Sequence, residues 1–339
     1  MKTKIYITGS SGFIGFHLAR KLLDKGFKVH GFDSMNNYYD VKLKKSRLDI
    51  LKKKKNFFFT KGNLENKKII NKSIVNFKPK IIIHLAAQAG VRYSIDNPEA
   101  YLKSNIFGTF NIIQIAKKIK VKHLIIASSS SVYGANKKIP FKEIDKTDLQ
   151  ISFYAATKKS SESLAHSYSA LWKLPITMLR FFTVYGPWGR PDMAYFKFTK
   201  NILEGKKINI YNNGKMYRDY TYIDDVIDGI YKLLNKVPKL KEKMSFKNDS
   251  LSPVAPFRIV NIGNTKKVYL LDFISTLEKE LNKKAIRNEM PMQKGDVQST
   301  LSKTRLLKEI INYNPNTSYR FGIKKFIDWY KAYYKKIKI

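Results

Sequence analysis

The chain has 339 residues, 43% hydrophobic and 27% charged, with 65 Lys and Arg against 26 Asp and Glu for a net charge of +39. That length allows a large core and more than one domain, no apolar run approaches the ~20 residues of a membrane span, and the absence of cysteine excludes disulfides and thiolate metal sites. The cations are mostly lysine, in short runs such as 52–55, 117–118 and 283–284, without the arginine forks or aromatic motifs of base readout. They read as a solvated surface, so neither nucleic acid nor a membrane is expected as a partner, and no metal site is expected. The start, MKTKIYITGS, enters a strand with no signal peptide, which predicts a cytoplasmic protein.

KIYITG (4–9) predicts a short strand ending in TGSSGFIG, where Gly9, Gly12 and Gly15 stand three apart. FIGFHLARKLLDKG then has helical spacing, with Ile14, Leu18 and Leu22 on one stripe and Gly26 at its end. KVHGFD is a second strand closing at Asp33. Strand, glycine turn, helix, strand and an acid about 20 residues on form the dinucleotide fingerprint. Gly9 allows the tight turn, Gly12 admits the pyrophosphate backbone, and Gly15 lets the helix sit against the strand. The helix start offers free N–H groups and a positive dipole end to phosphate. Asp33 suits the adenosine ribose hydroxyls and repels a 2′-phosphate, which favours NAD over NADP.

NFFFTKGN (56–63), PKIIIHLAA (79–87) and VKHLIIASSSS (121–131) predict further strands, with helices near 64–77 and 98–119 between them. This alternation predicts an α/β fold with a Rossmann-type, doubly wound parallel sheet, whose ligands bind at the carboxyl ends of the strands. The serine run 128–131 stands at one such end. His84 ends another strand and reads as a core histidine. Downstream, FYAATKK puts Tyr154 and Lys158 at i and i+4 on one helix face. A neighbouring ammonium and the positive ring of NAD+ would both lower the tyrosine's ordinary pKa of ~10. Such a tyrosine can take a proton from a sugar hydroxyl, with a serine orienting it: alcohol oxidation chemistry.

TGSSGFIG, HLAAQAGV, SSSSVYG and YAATK together resemble the extended short-chain dehydrogenase/reductase superfamily of nucleotide-sugar epimerases and dehydratases. NNYYDVKLKKSRL (36–48), RFFTVYGPWGRPDMA (180–194), GKMYRDYTYIDD (214–225) and SPVAPFRIVNIGN (252–264) narrow the likeness to UDP-glucuronate 4-epimerases. The resemblance covers nearly the whole chain. It implies an NAD-binding domain over 1–180 and a smaller α/β UDP-sugar domain over 181–339, with the chain crossing back. It implies NAD held by Gly9, Gly12, Phe13, Ile14, Gly15, Asp33, Asn37, Asn63, Leu64, Leu85, Ala86, Ala87, Gln88 and Asn105, together with Tyr154 and Lys158. Asn63 departs from the family's usual adenine-contacting Asp, and residues 298–306 stray from its wording.

The same likeness implies catalysis by Ser129, Tyr154 and Lys158, inverting C4 of UDP-glucuronate through a 4-keto intermediate and reversible hydride transfer. Related dehydratases carry an Asp-Glu pair beside the catalytic hydroxyl, and related decarboxylases a Glu before VYG. Here Ser130 and Ser131 offer donors for a sugar carboxylate and no like charge. Thr183 and Arg190 match positions near that carboxylate, Arg190 with a two-point fork. Arg218 matches a diphosphate-binding arginine, though a simple pair with Asp219 is equally open. Tyr211 matches a uracil-stacking aromatic or is an ordinary strand aromatic. Asp296 matches an acid at the uridine ribose, and Arg92 stands near the substrate. A homodimer is implied, through the helix near 98–119 and the Tyr154 helix, with Leu164 and Leu171 on its face. The alternatives are another UDP-sugar 4-epimerase, a UDP-glucuronate decarboxylase, and a non-catalytic NAD- or nucleic-acid-binding protein.

Overall fold

The computed structural model describes residues 2–240 and 249–337. Its main sheet has seven strands: β1 (Lys4–Thr8), β2 (Lys28–Asp33), β3 (Phe57–Lys61), β4 (Ile81–His84), β5 (His123–Ser129), β6 (Ile176–Phe181) and, from late in the chain, Phe257–Ile262. The last is β10, because three strands of the second lobe intervene: β7 (Thr183–Tyr185), β8 (Lys207–Tyr211) and β9 (Tyr217–Tyr222). All pairings in the main sheet are parallel, in the order β10-β6-β5-β4-β1-β2-β3. The strand order reverses between β1 and β4, the switch point where such sheets open a crevice.

Buried strands covered on both faces need apolar residues on both. Ile5, Ile7, Ile83, Ile125 and Leu179 enter one core cluster, and Tyr6, Ile82, Leu124, Ile126 and Met178 enter the other. Helices α1 (Phe13–Asp24), α2 (Val41–Lys52), α3 (Lys67–Phe77), α4 (Tyr93–Asp96), α5 (Pro98–Tyr101), α6 (Gly108–Lys118) and α7 (Phe153–Trp172) connect the strands. The helix expected near 98–119 is interrupted: Leu102–Phe107 is a π-helical stretch, a wider turn that aims Asn105 inward. Helix α7 starts sharply because the Ser152 side chain accepts from the Ala155 N–H.

The second lobe carries a three-stranded sheet of β7, β9 and β11 (Lys267–Tyr269), and a pair formed by β8 and β12 (Ile286–Met290). Helices α8 (Ala194–Glu204), α9 (Ile223–Leu233), α10 (Leu270–Leu281), α11 (Arg305–Ile311) and α12 (Tyr319–Ile337) surround them. Helix α9 packs on α1, where Lys21 pairs with Asp228. Among the described residues no helix is long and apolar enough to cross a membrane.

One buried ion pair locks α7 to the sheet. Glu162 receives Arg180 Nε and Nη2 at 2.9 and 2.8 Å and the Ser128 hydroxyl at 2.6 Å. Removing the carboxylate leaves a guanidinium and a hydroxyl desolvated and unpaired. Glu162→Leu should cost about 3–5 kcal/mol of unfolding free energy, and Glu162→Gln, which keeps an acceptor, should cost less. Urea unfolding checks this; a loss below about 1 kcal/mol for the leucine variant would show that the pair is not what holds the helix.

Candidate active site

At the carboxyl ends of the main strands lies a cleft of 1350 Å³ lined by both lobes. Its floor is the turn between β1 and α1. Gly9 has φ +75°, and a Cβ there would stand 2.8 Å from Ala86 N; a Cβ on Gly15 would stand 2.0 Å from Gly9 O. Only glycine satisfies both. Gly12 brings no side-chain cap, so the first N–H groups of α1 are left for a ligand. Asp33 is held by the Ser11 N–H at 3.0 Å and the Met35 N–H at 2.9 Å, and the Ser10 and Ser11 hydroxyls are buried without partners. A cradle without Cβ atoms, free N–H groups, orphaned hydroxyls and a fixed carboxylate fit the pyrophosphate and ribose of a dinucleotide.

Gly9, Gly12, Phe13, Ile14, Gly15, Asp33, Asn63, Leu64, Leu85, Ala86, Ala87 and Gln88 all line this cleft. Two expected cofactor residues do not. Asn37 is exposed and outside the lining; its neighbour Asn36 lines the cleft and accepts Lys44 Nζ at 2.6 Å. Asn105 is fully buried behind the wall, where it accepts the Gln88 N–H at 2.8 Å and donates to Gln88 O and Thr157 Oγ1, each at 3.0 Å. It shapes the lining from beneath, since the π-helical turn points it at the backbone after β4.

Ser129, Tyr154 and Lys158 line the cleft together, the serine from the end of β5 and the others from the first turns of α7. Lys158 Nζ donates to Ala127 O at 3.0 Å, and its pKa falls to about 8 through burial, opposed by Glu162. The Tyr154 phenol is pushed up by burial, against the lowering effects of the Ser129 hydrogen bond and the Arg190 charge. The expected lowering by Lys158 is therefore absent without ligand: desolvation wins, and the phenol is held neutral. Ser129 Oγ donates to Ser131 Oγ at 3.2 Å and accepts the Ser131 N–H at 3.2 Å. Of the four serines, Ser128 serves the core, bound to Glu162. His84 is likewise a core residue, bound to Thr8 and Thr109 at 2.7 and 3.0 Å.

Ser130, Ser131, Thr183, Arg190, Tyr211, Arg218, Asp296 and Arg92 line the other arm of the cleft. Without ligand the Arg190 fork is engaged within the protein: its Nε and Nη2 both donate to Asp192, at 3.0 and 2.5 Å, and Tyr38 donates to the same acid at 3.2 Å. Asp192 follows two residues after Arg190, a spacing readable in the sequence but unread. Arg218 does not pair with Asp219. It donates to Val297 O at 2.7 Å and Gln298 O at 2.9 Å. Asp219 instead takes the N–H groups of Asn264, Thr265 and Ser302 at 2.7, 3.1 and 2.9 Å. Val297, Gln298 and Ser302, the last two within the 298–306 stretch that strays from the family wording, are thus what these two residues hold beside the cleft. Arg92 lies 4.6 Å above the Tyr211 ring and 3.3 Å from Asp296, so these three expected substrate residues contact one another.

Arg47 escaped the sequence reading because it sits in a run of lysines on a polar-looking helix. Its guanidinium is fully buried, donating to Ser11 O at 3.0 Å, Tyr39 Oη at 2.8 Å, Trp188 O at 2.6 Å and Gly189 O at 3.0 Å. It joins the glycine turn to the loop that presents Arg190.

Comparison with known proteins agrees with this geometry. The NAD dependent epimerase/dehydratase family matches residues 5–247. A probable UDP-glucuronate 4-epimerase of Rhizobium meliloti is 48% identical over 97% of both chains. Protein CapI of Staphylococcus aureus is 49% identical over 98% of this chain and 100% of its own. The crystal structure of a UDP-glucuronic acid 4-epimerase from Bacillus cereus, in complex with UDP-glucuronic acid and NAD, superposes with a TM-score of 0.87 at 33% identity, covering 98% of this chain and 100% of that one. The glycine cradle, the fixed acid and the end-to-end likeness lead to one conclusion: the chain belongs to the NAD dependent epimerase/dehydratase family.

Proposed function

We propose that the protein is an NAD-dependent 4-epimerase converting UDP-glucuronate to UDP-galacturonate. The observation that carries this is one cleft holding a dinucleotide cradle, a Ser-Tyr-Lys group and, next to it, hydroxyls instead of acids at 130 and 131. NAD, when bound, supplies a reversible hydride acceptor and a positive ring charge beside Tyr154. Tyr154 takes the proton of the sugar 4-hydroxyl while Ser129 orients that hydroxyl, giving a 4-keto sugar. Lys158, buried and cationic at neutral pH, stabilises the phenolate once it forms. The keto sugar turns in the wide cleft so that the hydride comes back to the opposite face of C4, and Tyr154 returns the proton to the C4 oxygen. A nucleotide sugar and NAD are both cytoplasmic metabolites, which supports a cytoplasmic enzyme.

The 4-keto form of a uronic acid is a β-keto acid, which sheds CO2 when its carboxylate aligns with the carbonyl π system. Ser130, Ser131 and Thr183 supply hydroxyl donors that keep the carboxylate hydrogen-bonded and turned away. Arg190, tied to Asp192, contributes position and field to that group rather than two free donors. A decarboxylase is disfavoured because position 131 carries no acid.

We also propose a homodimer through the α6 and α7 faces, on the apolar residues exposed there. Phe107, just before α6, and Leu171 and Trp172 at the end of α7 stand exposed, while Leu164 is half-buried against the core. Static light scattering of the full chain should give twice the chain mass; a monomer at micromolar concentration would remove this reading.

Tyr154→Phe should lower turnover of UDP-glucuronate by ~100- to 10,000-fold with UDP-sugar affinity nearly kept. In the same assay, wild-type protein with NAD+ should build up no stoichiometric NADH. A phenylalanine variant with half the native rate would remove Tyr154 as the base, and steady NADH release would point to a net dehydrogenase.

Ser130→Ala with Ser131→Ala should raise the share of turnovers ending in a decarboxylated UDP-pentose, read by mass spectrometry against UDP-galacturonate. If total activity falls while that ratio stays fixed, the serines orient the sugar and do not guard its carboxylate.

A further inference from the structure

The amino ends of the main strands form the edge of the sheet opposite the cleft, and the connections that feed them share one chemistry. Inward from β10 at one edge, the strands run β6-β5-β4-β1-β2-β3. Just ahead of these six, in the same order, stand Lys173, Lys122, Lys80, Lys2, Lys25 and Lys53, all exposed. With neighbouring strands ~4.8 Å apart, they form a row on the order of 24 Å long. Lys53 belongs to the run 52–55, which thickens the row at its β3 end. The connections into these six strands hold no acid; Asp24, the last residue of α1, borders them, and Lys54 pairs with it at 2.9 Å. The whole chain carries 26 acids to 65 basic residues, so this edge is more one-sided than the protein it belongs to.

Helices α1, α2, α3, α6 and α7 end at this edge, and a lysine complements each negative helix end. That accounts for one lysine per helix, such as Lys25 and Lys173. It does not account for the lysines beyond the caps, nearer the strand starts: Lys2, Lys55, Lys80 and Lys122. No arginine stands in these connections. Nucleic-acid faces favour arginine forks and exposed aromatic stacking. A row of compact, hydrated point charges at the end of a sheet instead matches a broad anionic plane, where each lysine near the surface adds attraction that salt screens within a Debye length.

We infer that this edge docks reversibly on the anionic surface of a lipid bilayer. The cleft opens at the opposite edge, so a docked molecule keeps its substrate entrance toward solvent and its turnover unchanged. This reading is independent of which sugar the cleft takes.

The test is co-sedimentation of the full chain with phosphatidylcholine vesicles, with and without about 30% phosphatidylglycerol, at about 50 mM and about 500 mM salt. Two variants carry the same change in net charge. One replaces the row (Lys25→Glu, Lys53→Glu, Lys80→Glu, Lys122→Glu), and the other replaces lysines on α10, α11 and α12 (Lys279→Glu, Lys308→Glu, Lys324→Glu, Lys331→Glu). Wild type and the second variant should bind the anionic vesicles at low salt and ignore neutral ones, while the row variant binds at least about ten-fold more weakly. Thermal unfolding reports whether both fold, and Lys→Gln at the same row positions repeats the comparison without charge reversal. Equal loss in both variants would mean diffuse charge and overturn the docking face. So would absent binding by wild type, or tighter row-dependent binding of a DNA oligonucleotide than of vesicles.

Discussion

The Glu162 carboxylate is the point on which the reactive geometry rests. It sits on α7 one turn beyond Lys158 and two beyond Tyr154, so whatever it grips fixes the helix face that carries both. It grips Ser128, next to Ser129 at the end of β5, and Arg180 on β6. A helix face and a strand end are thereby held at one separation inside a low-dielectric wall. Lys158 adds a second tie, to Ala127 O on the same strand. Active-site precision at Tyr154 is therefore inherited from groups buried behind it.

A second buried cation joins the two lobes in another way. Arg47 has no carboxylate; three backbone carbonyls and a phenol take its Nη1 and Nη2 groups, and its buried Nε is left without a partner. Those carbonyls belong to the glycine turn and to the turn before Arg190, so the cofactor end and the sugar end of the cleft are set relative to one another by one guanidinium fork. Carbonyl oxygens leave its charge uncompensated, and the field of that charge reaches His17 and Tyr195.

The site as folded is electrostatically unfinished. Burial holds the Tyr154 phenol neutral, Arg190 is occupied with Asp192, and Arg92 covers Tyr211 while reaching Asp296. Under the proposed function, each internal partner stands where a ligand of matching chemistry would interact: a positive ring near the phenol, a base on the aromatic face, a ribose at the acid. Internal pairing keeps buried charges from being stranded and lets ligand exchange swap one partner for another.

The sequence alone determined what is local or periodic. Strands with apolar residues on both faces, the three glycines before a helix, an acid closing β2 and the i, i+4 spacing of Tyr154 and Lys158 all follow from steric and periodic rules that act within about twenty residues. The parallel sheet, the glycine turn, Asp33 and the Tyr154–Lys158 pair could be read that way, while most other expected cleft residues came from the resemblance to a family. Tertiary structure alone decided the rest. The inward turn of Asn105 depends on a π-helical stretch that no spacing marks, and it is Asn36, bound to Lys44, and not Asn37 that lines the cleft. The roles of Arg47, Asp192 and the 297–302 segment depend on partners far along the chain or on which of two nearby charges a fork meets first. The direction of the Tyr154 shift was decided by burial, because desolvation depends on everything packed around a group and a one-dimensional neighbour list contains only what is adjacent to it.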